Sequence, residues 1–216
     1  EMGVTLEEYE SFLNAYSSCE EESLWEEIEK AAFRADKRRL QDLQDTAHNA
    51  DLYFMGLACK ACYTRLTPQE AEEITDYLYE IEIWSFGELR LLYFSMESLR
   101  TKDILHILDF FFPEGHELFN SKKHQKYFVQ VCCRAVTYLT EKGYRKEGWS
   151  LLQQMDAHSL MATMSQRNLK NITEGYWIYR FEDPLKGKKK IMAGFDVLRT
   201  VHMTDELSYY QRRYSL

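Results

Sequence analysis

Apolar residues recur at every third and fourth position along almost the whole chain, the spacing that keeps one face of an α-helix buried. Thr5 and Glu8 stand at capping-box spacing in TLEEYESFLNAY, which reads as a short first helix. Leu24, Trp25, Ile28, Ala31 and Ala32 mark a second, and RRLQDLQDTAHN continues to a break near Asn49. The same period predicts helices over roughly 48–65, 67–81, 84–98, 101–112, 122–142, 144–158, 161–182, 184–201 and 203–214. Thr67, Pro68 and Glu70 form a capped helix start, while Pro113 and Gly115 end the helix before a longer loop. No segment alternates with period two long enough to make a sheet. Helices paired in units of about 35–45 residues are the rhythm of a helical-hairpin array. The predicted fold is therefore all-α, a right-handed superhelical array of degenerate TPR-like hairpins, since the tetratricopeptide consensus itself is absent.

The segment over 122–142 shows what such an array leaves open. Phe128, Val131, Cys132, Ala135 and Leu139 form its apolar stripe, while Tyr127, Gln130, Arg134, Thr137 and Glu141 fall on another side. That side is either ordinary solvated surface or part of a groove.

Composition narrows the function classes. With 216 residues, 45% of them hydrophobic and 29% charged, the chain has the length and balance of one globular domain or one repeat array. Thirty-five acidic residues against 27 basic ones give a net charge of -8, so the chain as a whole repels a phosphate backbone. No apolar run approaches the ~20 residues that span a bilayer, and the first residues lack the order of a signal peptide, so no membrane role is expected. Five cysteines, an odd number set in helical patterns, point to a reducing compartment, and a cytoplasmic location is expected.

Catalytic and metal motifs are weak. CKAC at 59–62 lacks a second ligand pair at short spacing, which favours two small core residues on one helix face over a zinc site. HELF at 116–119 begins like a zincin, but Asn120 stands where a second His is needed. KGKKK at 186–190 has one glycine and no preceding strand, so it reads as a solvated turn or a helix start. Neither a cofactor nor an enzymatic activity is expected.

LTPQEAEEITDYLYEIEIWSFGELRLL, from Leu66 to Leu92, resembles the middle of the Rgg/GadR/MutR transcriptional regulators. In that family an acidic helix leads into a W-G-Y-Y-E-L turn and an apolar helix; Asp76, Tyr77, Leu78, Glu82, Trp84, Phe86, Glu88 and Leu89 match, whereas Ser85 and Gly87 depart. YFVQVCCRAVTYLTEKG resembles the long central helix, and the stretch from Thr173 to Tyr214 resembles the closing repeat. Within 79–89, Trp84 and Phe86 are expected to staple adjacent repeats, with Gly87 turning the chain before Glu88 and Leu89 start the next helix.

The resemblance implies a cytoplasmic quorum sensor: an N-terminal helix-turn-helix that reads promoter DNA, joined to a repeat domain that binds a short imported peptide and dimerises. GVTLEEY at 3–9 is similar to the end of the DNA-binding domain, so residues 1–20 are expected to close that domain or link to it, and residues 21–216 to form the peptide-binding and dimerisation domain. Promoter DNA is then met only through a helix-turn-helix outside this chain. A general helical-repeat scaffold is the alternative. The resemblance places the peptide in the concave groove, with Tyr93, Phe94, Tyr127, Gln130, Arg134, Asn168, Asn171, Tyr176, Tyr179 and Arg180 as candidates. Arg134 and Phe94 stand where the family commonly has asparagine, so Arg134 is expected to pair with a peptide carboxylate and Phe94 with apolar side chains. Tyr176 and Tyr179 either line the groove or pack between helices, and Gly175 before them suits close helix approach.

Two further expectations concern single regions. His106, in DILHILDFFF, is a candidate pH sensor if its helix brings it to Tyr138, Tyr144 and Glu147; otherwise it is a surface residue beside Asp109. Tyr209, Tyr210 and Tyr214 beside Arg212 and Arg213 have the composition of an interface, and a homodimer through the C-terminal helices is expected unless the segment caps the array.

Overall fold

The structure, a computed structural model, describes residues 6–82, 84–112 and 122–214, with side chains from residues 20 and 124 onward in the first and last of these segments. Eleven α-helices account for most of the described residues, and no strand occurs among them. They are α1 (Leu6–Arg34), α2 (Lys37–Asn49), α3 (Tyr53–Tyr63), α4 (Pro68–Tyr79), α5 (Phe86–Ser95), α6 (Thr101–Phe111), α7 (Lys122–Glu141), α8 (Arg145–Ala157), α9 (Met164–Phe181), α10 (Pro184–Thr200) and α11 (Thr204–Arg213). A short 3₁₀ turn, Met96–Ser98, extends α5.

Most starts are capped as the residue pattern implies. Thr67 and Glu70 exchange hydrogen bonds across the first turn of α4, and Asp183 accepts from the Leu185 and Lys186 amides ahead of α10, which makes KGKKK a helix start. Ser85 and Glu88 cap α5 in the same reciprocal way, so the break in the 79–89 stretch comes from that capping box rather than from a turn at Gly87, which lies in the helix's first turn. Trp84 meets the Phe111 ring edge-on at 4.6 Å, and Phe86 lies near Tyr127.

The first two expected helices are one. α1 runs 29 residues because SSCEEES holds neither glycine nor proline, and it stops at Ala35, which takes a left-handed φ of 55°. Asp51, Ser159 and His202 do the same after α2, α8 and α10, while Gly143 serves after α7. Thr5 of the expected capping box, Pro113 and Gly115 lie outside the described residues, as does HELF.

Helices α2 and α3, α7 and α8, and α9 and α10 pair as hairpins, while α3, α5, α7 and α9 lie against one another in succession. α11 then returns to pack on α1 as well as on α10, so the last helix closes onto the first. A large core runs from Trp25 to Ile178, with Phe111 and Phe128 fully buried at its middle. A smaller one joins Ile172, Tyr176, Ile191, Phe195 and Leu198 to Tyr210 of α11 and to Tyr214 just after it. α9 and α10 meet through glycines: a Cβ on Gly187 would sit 2.3 Å from the Tyr179 backbone nitrogen, and one on Gly175 3.1 Å from the Ile191 nitrogen.

Candidate functional site

The return of α11 encloses a cavity of about 310 Å³ between α1, α7, α9, α10 and α11. Its walls are mostly apolar, from Phe33, Val129, Leu169, Ile172, Leu198, Met203 and Tyr210, with Glu29, Lys126 and Glu206 among the charged groups. Two buried polar side chains also reach it, Gln166 and Asn168 on α9. Gln166 Oε1 accepts from the Thr163 amide and hydroxyl, leaving its Nε2 as a donor. Asn168 Nδ2 donates to the Gly194 carbonyl at 3.0 Å, leaving Oδ1 as an acceptor. The two side chains thus leave one donor and one acceptor beside a mostly apolar cavity, polar groups of the kind that meet peptide amides.

Beside the cavity lies a strip of α5 and α7 covered by α11. Tyr209 accepts at its hydroxyl from the Tyr93 hydroxyl at 3.0 Å and from Arg134 Nη1 at 3.1 Å. Arg134 also donates to Glu97 at 2.9 Å, and Arg213 of α11 donates to the same Glu97 oxygen. The Tyr214 hydroxyl sits between those of Thr137 and Thr173, at 2.9 and 3.2 Å. The space remaining there is about 10 Å³. Burial and the adjoining phenols hold Tyr93 and Tyr210 well above the ordinary tyrosine range, so both stay neutral at physiological pH. Burial also favours a neutral Glu97 carboxyl, but Arg134 and Arg213 outweigh it and keep the group below its ordinary value.

The other side of α7 is thus not solvated surface. Gln130 lines the cavity and hydrogen-bonds Glu29, Arg134 and Thr137 lie under α11, and only Glu141 is exposed. Tyr127 is buried on the rim, where Arg90 donates to its hydroxyl and lies 4.1 Å above its ring. The remaining candidates sit elsewhere. Phe94 turns into the core parallel to Trp25, and Tyr176 packs against Tyr214 in the smaller core. Asn171 borders a separate outer depression, because helical geometry places it beside the face formed by 165, 168, 169 and 172. Tyr179 is half-buried against the smaller core, and Arg180 is exposed.

His106 is exposed with its ring edge-on to Tyr79 at 5.1 Å, and the structure does not bring it to its expected partners. Tyr138 donates instead to the Leu99 carbonyl and pairs with Thr101 at the start of α6, while Tyr144 is exposed at the α7–α8 turn. Cys59 and Cys62 are free thiols; burial pushes Cys59 up to about 12 and Cys62 higher still, which disfavours the thiolate a metal needs. Among the described residues no three His, Cys, Asp or Glu side chains converge on a metal-sized site.

Glu29 and Phe33 of α1 and Met203 and Glu206 near the C-terminus line the cavity without having been singled out in the sequence, and Tyr210, expected at a dimer interface, lines it too. Phe33 is buried on a different side of α1 from Trp25 and Ile28, so their apolar stripe does not mark it.

Residues 14–212 match the sequence model described as the C-terminal domain of the HTH-type transcriptional regulator Rgg. The chain belongs to the Rgg family. Among solved structures, this Rgg domain is similar to the SHP pheromone receptor Rgg2 of Streptococcus dysgalactiae, with a TM-score of 0.67 and 14% identity over 97% of this chain and 80% of that one. It is also similar to a transcriptional regulator from Listeria monocytogenes EGD-e, with a TM-score of 0.70 and 14% identity over 96% of this chain and 77% of that one. These likenesses establish the all-helical fold. Comparison with curated proteins gives no sequence match.

Proposed function

We propose that this Rgg domain is the sensor of a cytoplasmic transcriptional regulator and binds a short, mostly apolar peptide in the cavity between α1, α7, α9 and α11. The observation that carries the reading is a mostly apolar cavity lined by two buried side-chain amides, Gln166 with a donor left over and Asn168 with an acceptor left over. A peptide brings unpaired amides, which cost about 1–3 kcal/mol each when buried without partners, and these two side chains offer partners to such groups. The cavity volume lies at the small end of the roughly 300–1,000 Å³ typical of ligand sites, so it suits part of a peptide rather than the whole. The Rgg2 likeness, with a pheromone receptor, supports the same class of ligand.

DNA contact belongs, in this proposal, to a helix-turn-helix joined at residues 1–20, consistent with a sensor domain of net charge -8. Self-association is proposed through the C-terminal helices. The α11 tyrosines expected at such an interface point inward instead, and the outward face of α10 offers exposed Leu185 and Met192, with Val201 just beyond it. No catalytic role is assigned. Titration calorimetry with short linear peptides encoded beside the gene tests the reading: saturable binding with a negative heat-capacity change is expected, and its absence across such peptides contradicts it.

A further inference from the structure

α11 behaves like a ligand bound in cis. It is 10 residues long, too short to be helical on its own in water, so its form depends on what it touches. It packs on α1 and α10, where Phe33 stacks on Tyr209 at 4.6 Å and Arg34 pairs with Asp205 at 2.7 Å, and its side chains also cover the inner strip of α5, α7 and α9, through Tyr209 on Tyr93 and Arg134, Arg213 on Glu97, and Tyr214 on Thr137 and Thr173. Three of its buried or half-buried contacts are tyrosines, whose hydroxyls water can satisfy once they are released. The closed contact is also imperfect: Nε of Arg134 and Nε of Arg213 are buried without a hydrogen-bond acceptor among the described residues. A single residue, His202, bends the chain between α10 and α11 at a φ of 58°, which makes a compact hinge. Finally, the cavity and the covered strip are continuous through Gln130, Leu169 and Tyr210, which border both.

We propose that α11 is a displaceable intramolecular ligand of the groove, occupying the Tyr93–Arg134–Thr137 strip until a longer ligand, held on the α1, α7 and α9 walls of the cavity, takes its place. The expulsion half rests on the peptide reading above; the occupancy half does not. A segment tethered through one turn competes at an effective concentration on the order of millimolar, so an unlinked copy binds poorly while α11 is seated.

The test uses the full chain and a fluorescein-labelled synthetic peptide, TDELSYYQRRY, which copies residues 204–214. Polarisation titrations compare the parent with the Tyr209→Ala/Arg213→Ala variant, and hydrogen exchange follows the parent alone. The variant is expected to bind the labelled peptide at least tenfold more tightly than the parent, and α11 amides of the parent are expected to exchange while α7 and α9 stay protected. A helical variant that binds no more tightly than the parent overturns the proposal, as does exchange of α11 only together with α7 and α9. Should the variant fail to fold, the exchange pattern of the parent decides alone. No signalling peptide enters this experiment, so its failure leaves the sensor reading standing, and failure of the peptide calorimetry leaves occupancy by α11 standing.

Discussion

The hydroxyl of Tyr93 on α5 donates to the hydroxyl of Tyr209 on α11 at 3.0 Å, joining residues 116 positions apart at the mouth of the groove. Arg134 donates to the same oxygen, so one acceptor serves two buried donors.

Tyr209→Phe removes that acceptor and leaves both donors stranded, a loss of about 1–3 kcal/mol. If α11 opens as its own unit, the loss appears as a lower opening free energy for α11 amides, with α7 and α9 unchanged. Native-state hydrogen exchange resolved by residue checks this.

Acid acts on the same contact through Glu97. Its folded pKa is held below the ordinary carboxylate value by Arg134 and Arg213, so its contribution is fully present above about 4.3 and is lost as pH falls through the lower folded value. The expected result is lower protection of α11 amides, relative to their intrinsic exchange rates, on acidification below about pH 4, with Glu97→Gln showing the loosened state already at neutral pH.

The fold was legible where helix starts carry side-chain caps. Thr67 with Glu70, Ser85 with Glu88, and Asp183 with Pro184 each announce a helix through local chemistry. Ends were harder to see, because Ala35, Asp51, Ser159 and His202 turn the chain without glycine; tertiary packing imposes the left-handed conformation on them. Of the candidate site, Gln130 and Arg134 were visible on the polar side of α7, and Asn168 only through the family resemblance. Phe33 and Met203 were not, since they meet only when α11 closes on α1, a contact across about 170 residues that no periodicity encodes. The tyrosines of α11 read as an interface, which they are, but with their own chain.

Gly187→Ala places a Cβ 2.3 Å from the Tyr179 backbone nitrogen, where neither helix backbone has room to give. It is expected to cost about 3 kcal/mol or more. Thermal unfolding should show Tm lower by about 6–12 °C. Gly194→Ala places its Cβ 2.3 Å from Cγ1 of the buried, β-branched Ile172 and is expected to be destabilising as well.

Ala35→Gly relieves a left-handed alanine that costs about 1–2 kcal/mol, against about 0.4–1 kcal/mol of added chain entropy in the unfolded state. The net expectation is stabilisation of about 0.5–1 kcal/mol, measured by urea unfolding with an unchanged m-value.

Ser165 is exposed at the edge of the cavity, so Ser165→Trp can block the site while leaving the core intact. The most direct measurement of the sensor assignment compares parent and Ser165→Trp in calorimetric titrations with a peptide that the parent binds. Binding weakened by tenfold or more at an unchanged Tm is the expected result, whereas equal affinity in the two proteins would place the peptide outside this cavity and contradict the assignment.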